Sequence, residues 1–122
     1  VVVTIPSAVS HLVVLKSITL ARDLLHTPVL GLVENMTSYV CPTCEQVHPL
    51  FGPTSPEEMP LGVPLLGRIP FDPRLAAAGD RGVPYILKYS ATPAGQALCQ
   101  MGERVRTFLE TVYTEPVRSS AP

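Results

Sequence analysis

The sequence has few basic residues and no cluster of them: 9 lysines and arginines stand against 10 acids in 122 residues, a net charge of −1. Affinity for a phosphate backbone needs grouped cations, so no nucleic-acid partner is expected. Long apolar runs are missing as well. No stretch reaches the ~18–20 residues of a membrane span, and the first residues lack the charged-then-apolar order of a secretory signal. A soluble, cytoplasmic chain without a membrane partner is predicted. Cysteine is scarce: three residues do not make the dense disulfide framework of a secreted mini-domain, which leaves metal or redox chemistry. Only two lysines, Lys16 and Lys88, are present. Neither lies in a glycine-rich turn leading into Gly-Lys-Ser/Thr, the arrangement that cradles nucleotide phosphates. Nothing in the chain could hydrolyse a nucleotide unaided.

Proline, by contrast, is plentiful. There are 14, and eight of them fall between Pro42 and Pro73, against a usual share of about 5%. The chain opens without methionine on Val1-Val2-Val3-Thr4-Ile5, a β-branched run of the kind buried on both faces in parallel sheets. It reads as one strand of a larger sheet.

Pro6 ends that strand and Ser7 is a plausible N-cap for a helix running to about His26. Its polar residues Lys16, Thr19, Asp23 and His26 oppose a wide apolar face of Val13, Val14, Ile18, Ala21, Leu24 and Leu25. Thr27-Pro28 breaks it, and Val29 to Val33 is a second buried-type strand, giving a right-handed parallel βαβ unit. Residues 34–60 show no period and many breakers, so they read as one long loop, a length that usually signals function. Val63 to Ile69 is a third strand, Pro73 to Ala78 a short helix, and Thr92-Pro93 opens a last helix reaching about Tyr113. Residues 114–122 read as a flexible tail. The pattern predicts an α/β fold with a parallel sheet and flanking helices.

The sharpest chemical signal is Cys41-Pro42-Thr43-Cys44 in the long loop. Two cysteines separated by two residues can turn both sulfurs toward one metal, but two thiolates make only half a tetrahedral site. Three completions are open. Two copies of the chain could each give a pair to a bridging iron–sulfur cluster. His48 could join the cysteines in a zinc-binding interaction module, with Cys99 or an outside ligand as the fourth donor. The pair could also be a thiol–disulfide redox couple, although Pro49 leaves no room for the helix such couples use. Cys99 reads as a half-buried small apolar residue, and His11 and His26 as members of a solvated helix face. Asn35 and Asp72 each follow a strand, at the sheet edge where α/β folds bind ligands. From composition alone they read as turn chemistry, Asn35 ending a strand and Asp72 beside Pro73 as the cap before a helix.

Taken in order, these segments are familiar. Val3-Thr4-Ile5-Pro6, Pro28-Val29-Leu30-Gly31-Leu32-Val33-Glu34-Asn35-Met36, Cys41-Pro42-Thr43-Cys44, Phe51-Gly52, Gly62 to Pro73 and Ala78 to Pro84 resemble the Mrp-type (ApbC-like) branch of the MinD-related P-loop ATPases, which are iron–sulfur cluster carriers. The resemblance runs from Val3 to about Val112. It implies that residues 1–113 are the C-terminal part of such an ATPase domain, without its Walker A half. It also implies that Cys41 and Cys44 hold a [4Fe-4S] cluster bridging a homodimer through the cysteine loop, with apo iron–sulfur proteins as recipients. Asn35, Pro70 and Asp72 match residues around the adenine of ATP. The family has glutamine where this chain has Ser7, and a full helix where Pro53 to Pro60 is proline-broken.

Overall fold

The computed structural model describes residues 1–41, 43, 44, 46–52 and 62–114. Its centre is a strand, β2 (Leu32–Val40), against which every other strand pairs. Strand β1 (Val2–Thr4) runs parallel to the start of β2, Val2 opposite Leu32 and Thr4 opposite Glu34. Strand β4 (Leu65–Phe71) runs parallel to it as well, from Leu32 opposite Leu65 to Tyr39 opposite Phe71. Strand β3 (Val47–Pro49) is antiparallel and, among the described residues, pairs only with the far end of β2, Ser38 opposite Pro49 and Val40 opposite Val47. The α/β fold is as expected, with one antiparallel strand added to the parallel set.

Alternation along β2 sends neighbours to opposite faces of the sheet. Leu32 packs with Val14 and Ile18 of helix α1 (Ala8–Thr19), while Val33 packs with Leu66, Ile69, Tyr85 and Ala94 beneath helix α4 (Pro93–Thr114). Ile18, Leu32 and Val33 are the most deeply buried large side chains, each adding about 1.5–3 kcal/mol over exposure. Ser7 caps α1 as predicted, its hydroxyl accepting from the Ser10 N–H at 3.2 Å. The helix continues through one π-helical turn, Leu20–Leu24, and His26 leaves it with φ +49°. Its apolar face is covered less than expected. Val14 and Ile18, four residues apart, meet the sheet, whereas Val13, Leu24 and Leu25 lie exposed alongside Val9, Leu12 and Leu20. Beneath α1 the outer strand is only three residues wide, so one line of the helix finds a partner.

On the other face, helix α2 (Pro73–Asp80) extends two residues past the predicted end. A single helical turn, α3 (Ile86–Tyr89), follows it and was not legible as an element. Helix α4 starts where predicted, the Thr92 hydroxyl accepting from the Gly95 N–H at 3.1 Å. At Gly95 only a glycine fits: a Cβ would stand 2.0 Å from the Tyr89 carbonyl oxygen, so the α3–α4 turn closes directly onto the helix backbone.

The second strand and the long loop differ most from expectation. The apolar run ends at Val33, but the strand starts only at Leu32 and continues to Val40. Polar residues can continue it because their side chains find partners across the sheet. The Glu34 carboxylate accepts from Arg68 Nε at 2.8 Å, and the Thr37 hydroxyl donates to the Ile69 carbonyl at 3.3 Å. Asn35 therefore sits inside a strand rather than after one. Much of 34–60 is a hairpin: β2 turns at the cysteines and returns as β3, with the Cys41 N–H donating to the Gln46 carbonyl at 2.9 Å. The proline-broken segment 53–60 lies outside the described residues. So does the tail after Thr114, which itself closes α4.

Candidate functional site

Both cysteines of the motif lie at the tip of the β2–β3 hairpin. Cys41, the first residue after β2, is half-buried, and Cys44 is exposed; neither is in a disulfide. Across the turn the Cys41 N–H donates to the Gln46 carbonyl. Donors aimed at a sulfur favour its charged form. The Cys41 pKa is accordingly held down to about 7, chiefly by the Cys44 N–H and then by Thr43, against a smaller opposing effect of burial. Thiolate is the form that binds iron and zinc.

Two thiolates remain half of a four-ligand set. His48 is on β3, directly opposite Tyr39, with its ring centroid 6.5 Å from the tyrosine ring. Among the described residues no three histidine, cysteine or acidic side chains converge as a metal site. Cys99 is exposed on α4, rather than half-buried as its neighbours suggested.

Beside the cysteine turn is a cavity of about 460 Å³. Tyr39 and Val40 from β2, Pro70 and Phe71 from β4, and Asp72 and Arg74 from the start of α2 contribute to its wall. Two of the three nucleotide-site candidates, Pro70 and Asp72, therefore share one cavity; Asn35 is not part of its lining. Asp72 is heavily engaged. It caps α2 by accepting from the Arg74 N–H at 2.9 Å, takes a two-pronged contact from the Arg74 guanidinium, and accepts from the Tyr85 hydroxyl at 2.8 Å. Arg74 first, with Tyr85 adding to it, lowers the Asp72 pKa to about 2 against a partial cost of burial. Asn35 folds its amide oxygen onto the next N–H, that of Met36, at 2.9 Å. Met36 is in the left-handed region at φ +55°, an uncommon conformation for a side-chain-bearing residue. Here β2 takes four steps, Asn35 to Tyr39, while β4 takes two, Ile69 to Phe71. Such an irregularity re-aims the strand beyond it, toward the cysteine turn.

Two features escaped sequence reasoning. One is Tyr39, which joins the cavity wall because β2 reaches Val40, a length the apolar pattern does not show. The other is an ionic group inside the sheet: Glu34 is 3% exposed, bonded to Arg68, with His11 Nε2 at 3.9 Å from its second oxygen. That nitrogen is buried with no hydrogen-bond partner among the described residues, so His11 is turned inward rather than placed on a solvated face. Glu34 and Arg68 are opposite one another in the β2–β4 register, a signal that needs the register to be read.

Comparison with known proteins agrees with this chemistry. The family model for the NUBPL iron-transfer P-loop NTPases, of the ParA group, matches residues 1–106. An iron-sulfur cluster carrier protein of Saccharolobus solfataricus is 42% identical over 113 residues, 91% of this chain and 38% of the relative. One of the same name from Methanocaldococcus jannaschii is 44% identical over 89 residues, 71% of this chain and 30% of the relative. The cytosolic Fe-S cluster assembly factor NBP35 of Eremothecium gossypii is 39% identical over 111 residues, 86% of this chain and 32% of the relative. The chain thus spans about a third of the length of these relatives. No helix among the described residues is long and apolar enough to cross a membrane.

Proposed function

The chain belongs to the NUBPL iron-transfer P-loop NTPase family, and from that premise we propose that it carries iron–sulfur clusters in the cytoplasm and passes them to apo iron–sulfur proteins. In this reading residues 1–113 are the C-terminal part of the ATPase domain. Cys41 and Cys44 of one copy, with the same two cysteines of a second, hold a bridging [4Fe-4S] cluster as cargo. The observation that carries the reading is the presence of Cys41 and Cys44 in one turn at the tip of the β2–β3 hairpin, neither in a disulfide and Cys44 exposed. With its pKa held down to about 7, Cys41 is about half ionised at neutral pH without a resident cation. Two donors per chain, with no third converging among the described residues, suit a site completed by a second copy.

The cavity beside the turn is suited to the adenine end of ATP. Pro70 and Asp72 wall it, whereas Asn35, opposite Ile69 on β2, is outside that wall. No Gly-Lys-Ser/Thr loop occurs in the sequence, so this chain supplies base contacts and not the phosphate cradle. Anaerobic reconstitution with iron and sulfide tests the reading. The expected result is a coloured species holding iron and sulfide, lost in Cys41→Ser. Iron retained equally by Cys41→Ser, or none retained by the wild-type chain, would contradict it.

A further inference from the structure

Between α2 and α3 is a second cavity, of about 320 Å³, which shares only Arg74 with the cavity beside the cysteine turn. The charged residues of its wall are all cations, Arg74, Arg81 and Lys88; among the described residues no carboxylate lines it. Asp72 neutralises Arg74, but neither Arg81 nor Lys88 has a carboxylate partner among the described residues. In a chain of net charge −1 these two form a local excess of positive charge.

The frame around them is fixed. Helix α2 ends in a doubly closed turn, the Gly82 N–H donating to the Gly79 carbonyl and the Val83 N–H to the Ala78 carbonyl, both at 3.0 Å, with Gly82 at φ +66°. This sets the backbone of Arg81 and Val83 on either side of the glycine. The Tyr89 ring lies 5.1 Å from that of Tyr85, whose hydroxyl donates to Asp72. The Arg74 guanidinium is 4.7 Å and the Lys88 ammonium 5.4 Å from the centre of the Tyr89 ring, within reach of a cation–π contact. Beside these cations two apolar side chains lack cover, Val83 at 48% and Leu87 at 76% exposure.

We propose that this cavity is a docking site for a segment of a partner protein in which acidic and apolar residues alternate, its carboxylates meeting Arg81 and Lys88 and its apolar side chains covering Val83 and Leu87. A nucleic acid needs a stripe of cations, and here there are two, flanked by apolar residues. A simple anion would leave those apolar residues in water. Because Arg74 walls both cavities, a protein held here lies next to the cavity that borders the cysteine turn. That the partner is the apo protein receiving the cluster rests on the carrier reading; the docking site itself does not.

Fluorescence anisotropy of the full chain without iron, with a short dye-labelled peptide of Glu-Leu repeats as the probe, tests the site. Saturable binding is expected, weakening as NaCl rises. It should be about tenfold weaker in Arg81→Gln/Lys88→Gln, which loses two charged contacts. Both side chains are exposed, so the variant should keep the wild-type melt. Arg81→Glu/Lys88→Glu should favour a Lys-Leu peptide over the Glu-Leu one. No binding by the wild-type chain, equal affinity in the glutamine variant, or a Gln-Leu peptide bound as tightly would overturn the proposal. So would oligothymidylate or inorganic phosphate displacing the peptide at an equal concentration, since the site would then serve a nucleic acid or a simple anion. A chain that binds the peptide but holds no iron after reconstitution would overturn the carrier reading alone and leave the docking site standing.

Discussion

Along β2, Leu32, Val33 and Glu34 are all but sealed from solvent between β1 and β4, whereas Tyr39 is 36% exposed and the strand runs straight into the cysteine turn. The sealed end pairs in parallel on both edges, with one register shift against β4 between Leu32 and Val33, and has a packed helix on each face. The open end follows an irregular stretch at Met36, pairs with a three-residue antiparallel strand, and carries a sulfur with a shifted pKa. One continuous strand thus does two jobs. Its first half anchors the chain by burying apolar surface, and its second half, freed from packing duties, presents chemistry at a fixed position. Stability and metal affinity should therefore respond to different substitutions.

The largest expected effect on the sealed end comes from Ile18→Ala, which empties a fully buried site under α1. Loss of about 2–5 kcal/mol is expected in a denaturant melt, with alkylation of Cys41 in the still-folded fraction unchanged. A change in Cys41 reactivity of the folded form would show that the two ends are not separate. Gly95→Ala should come next. Its Cβ would collide with the Tyr89 carbonyl oxygen, and relieving such overpacking typically costs about 1–3 kcal/mol. The same melt should register this, again without an effect on the cysteines.

Asp72→Ala should have the smallest effect, and it probes the border between the two regions. Loss of the α2 cap and its arginine contact should cost about 0.5–2 kcal/mol at neutral pH. Because the Asp72 pKa is lowered to about 2, mainly by Arg74, its stabilisation is complete above the unfolded carboxyl value of about 4. It disappears as the pH falls from there toward 2. Melts across that range should bring the variant and wild-type curves together at the acid end. A gap that persists at pH 2 would mean that the ionised carboxylate is not what stabilises α2.

The sealed end was readable from sequence because it is governed by simple periodicity. Val1 to Ile5, Val63 to Ile69, the Ser7 cap and the Thr92-Pro93 start all mark elements that exist, within a residue or two of the observed bounds. The open end obeys rules that periodicity does not express. Glu34 to Ser38 look like loop residues until Arg68 and the Ile69 carbonyl are placed opposite them. Pro49 suggested a broken loop, yet it lies in an edge strand, where a missing N–H is tolerated. The cysteine pair was legible because its chemistry depends on spacing alone. Tyr39 and the inward turn of His11 were not, since both follow from register and packing across elements distant in sequence. Asp72 was legible as a helix cap, but its clamp by Arg74 and Tyr85 was not.

The central claim is that two cysteines from each of two chains, without His48, hold the cargo. Native mass spectrometry of the anaerobically reconstituted protein tests it most directly, applied to the wild-type chain, Cys44→Ser and His48→Ala. The account predicts two chains with one [4Fe-4S] cluster for the wild type and for His48→Ala, and bare chains for Cys44→Ser. A single chain holding one metal ion, lost in His48→Ala as well as in Cys44→Ser, would contradict it.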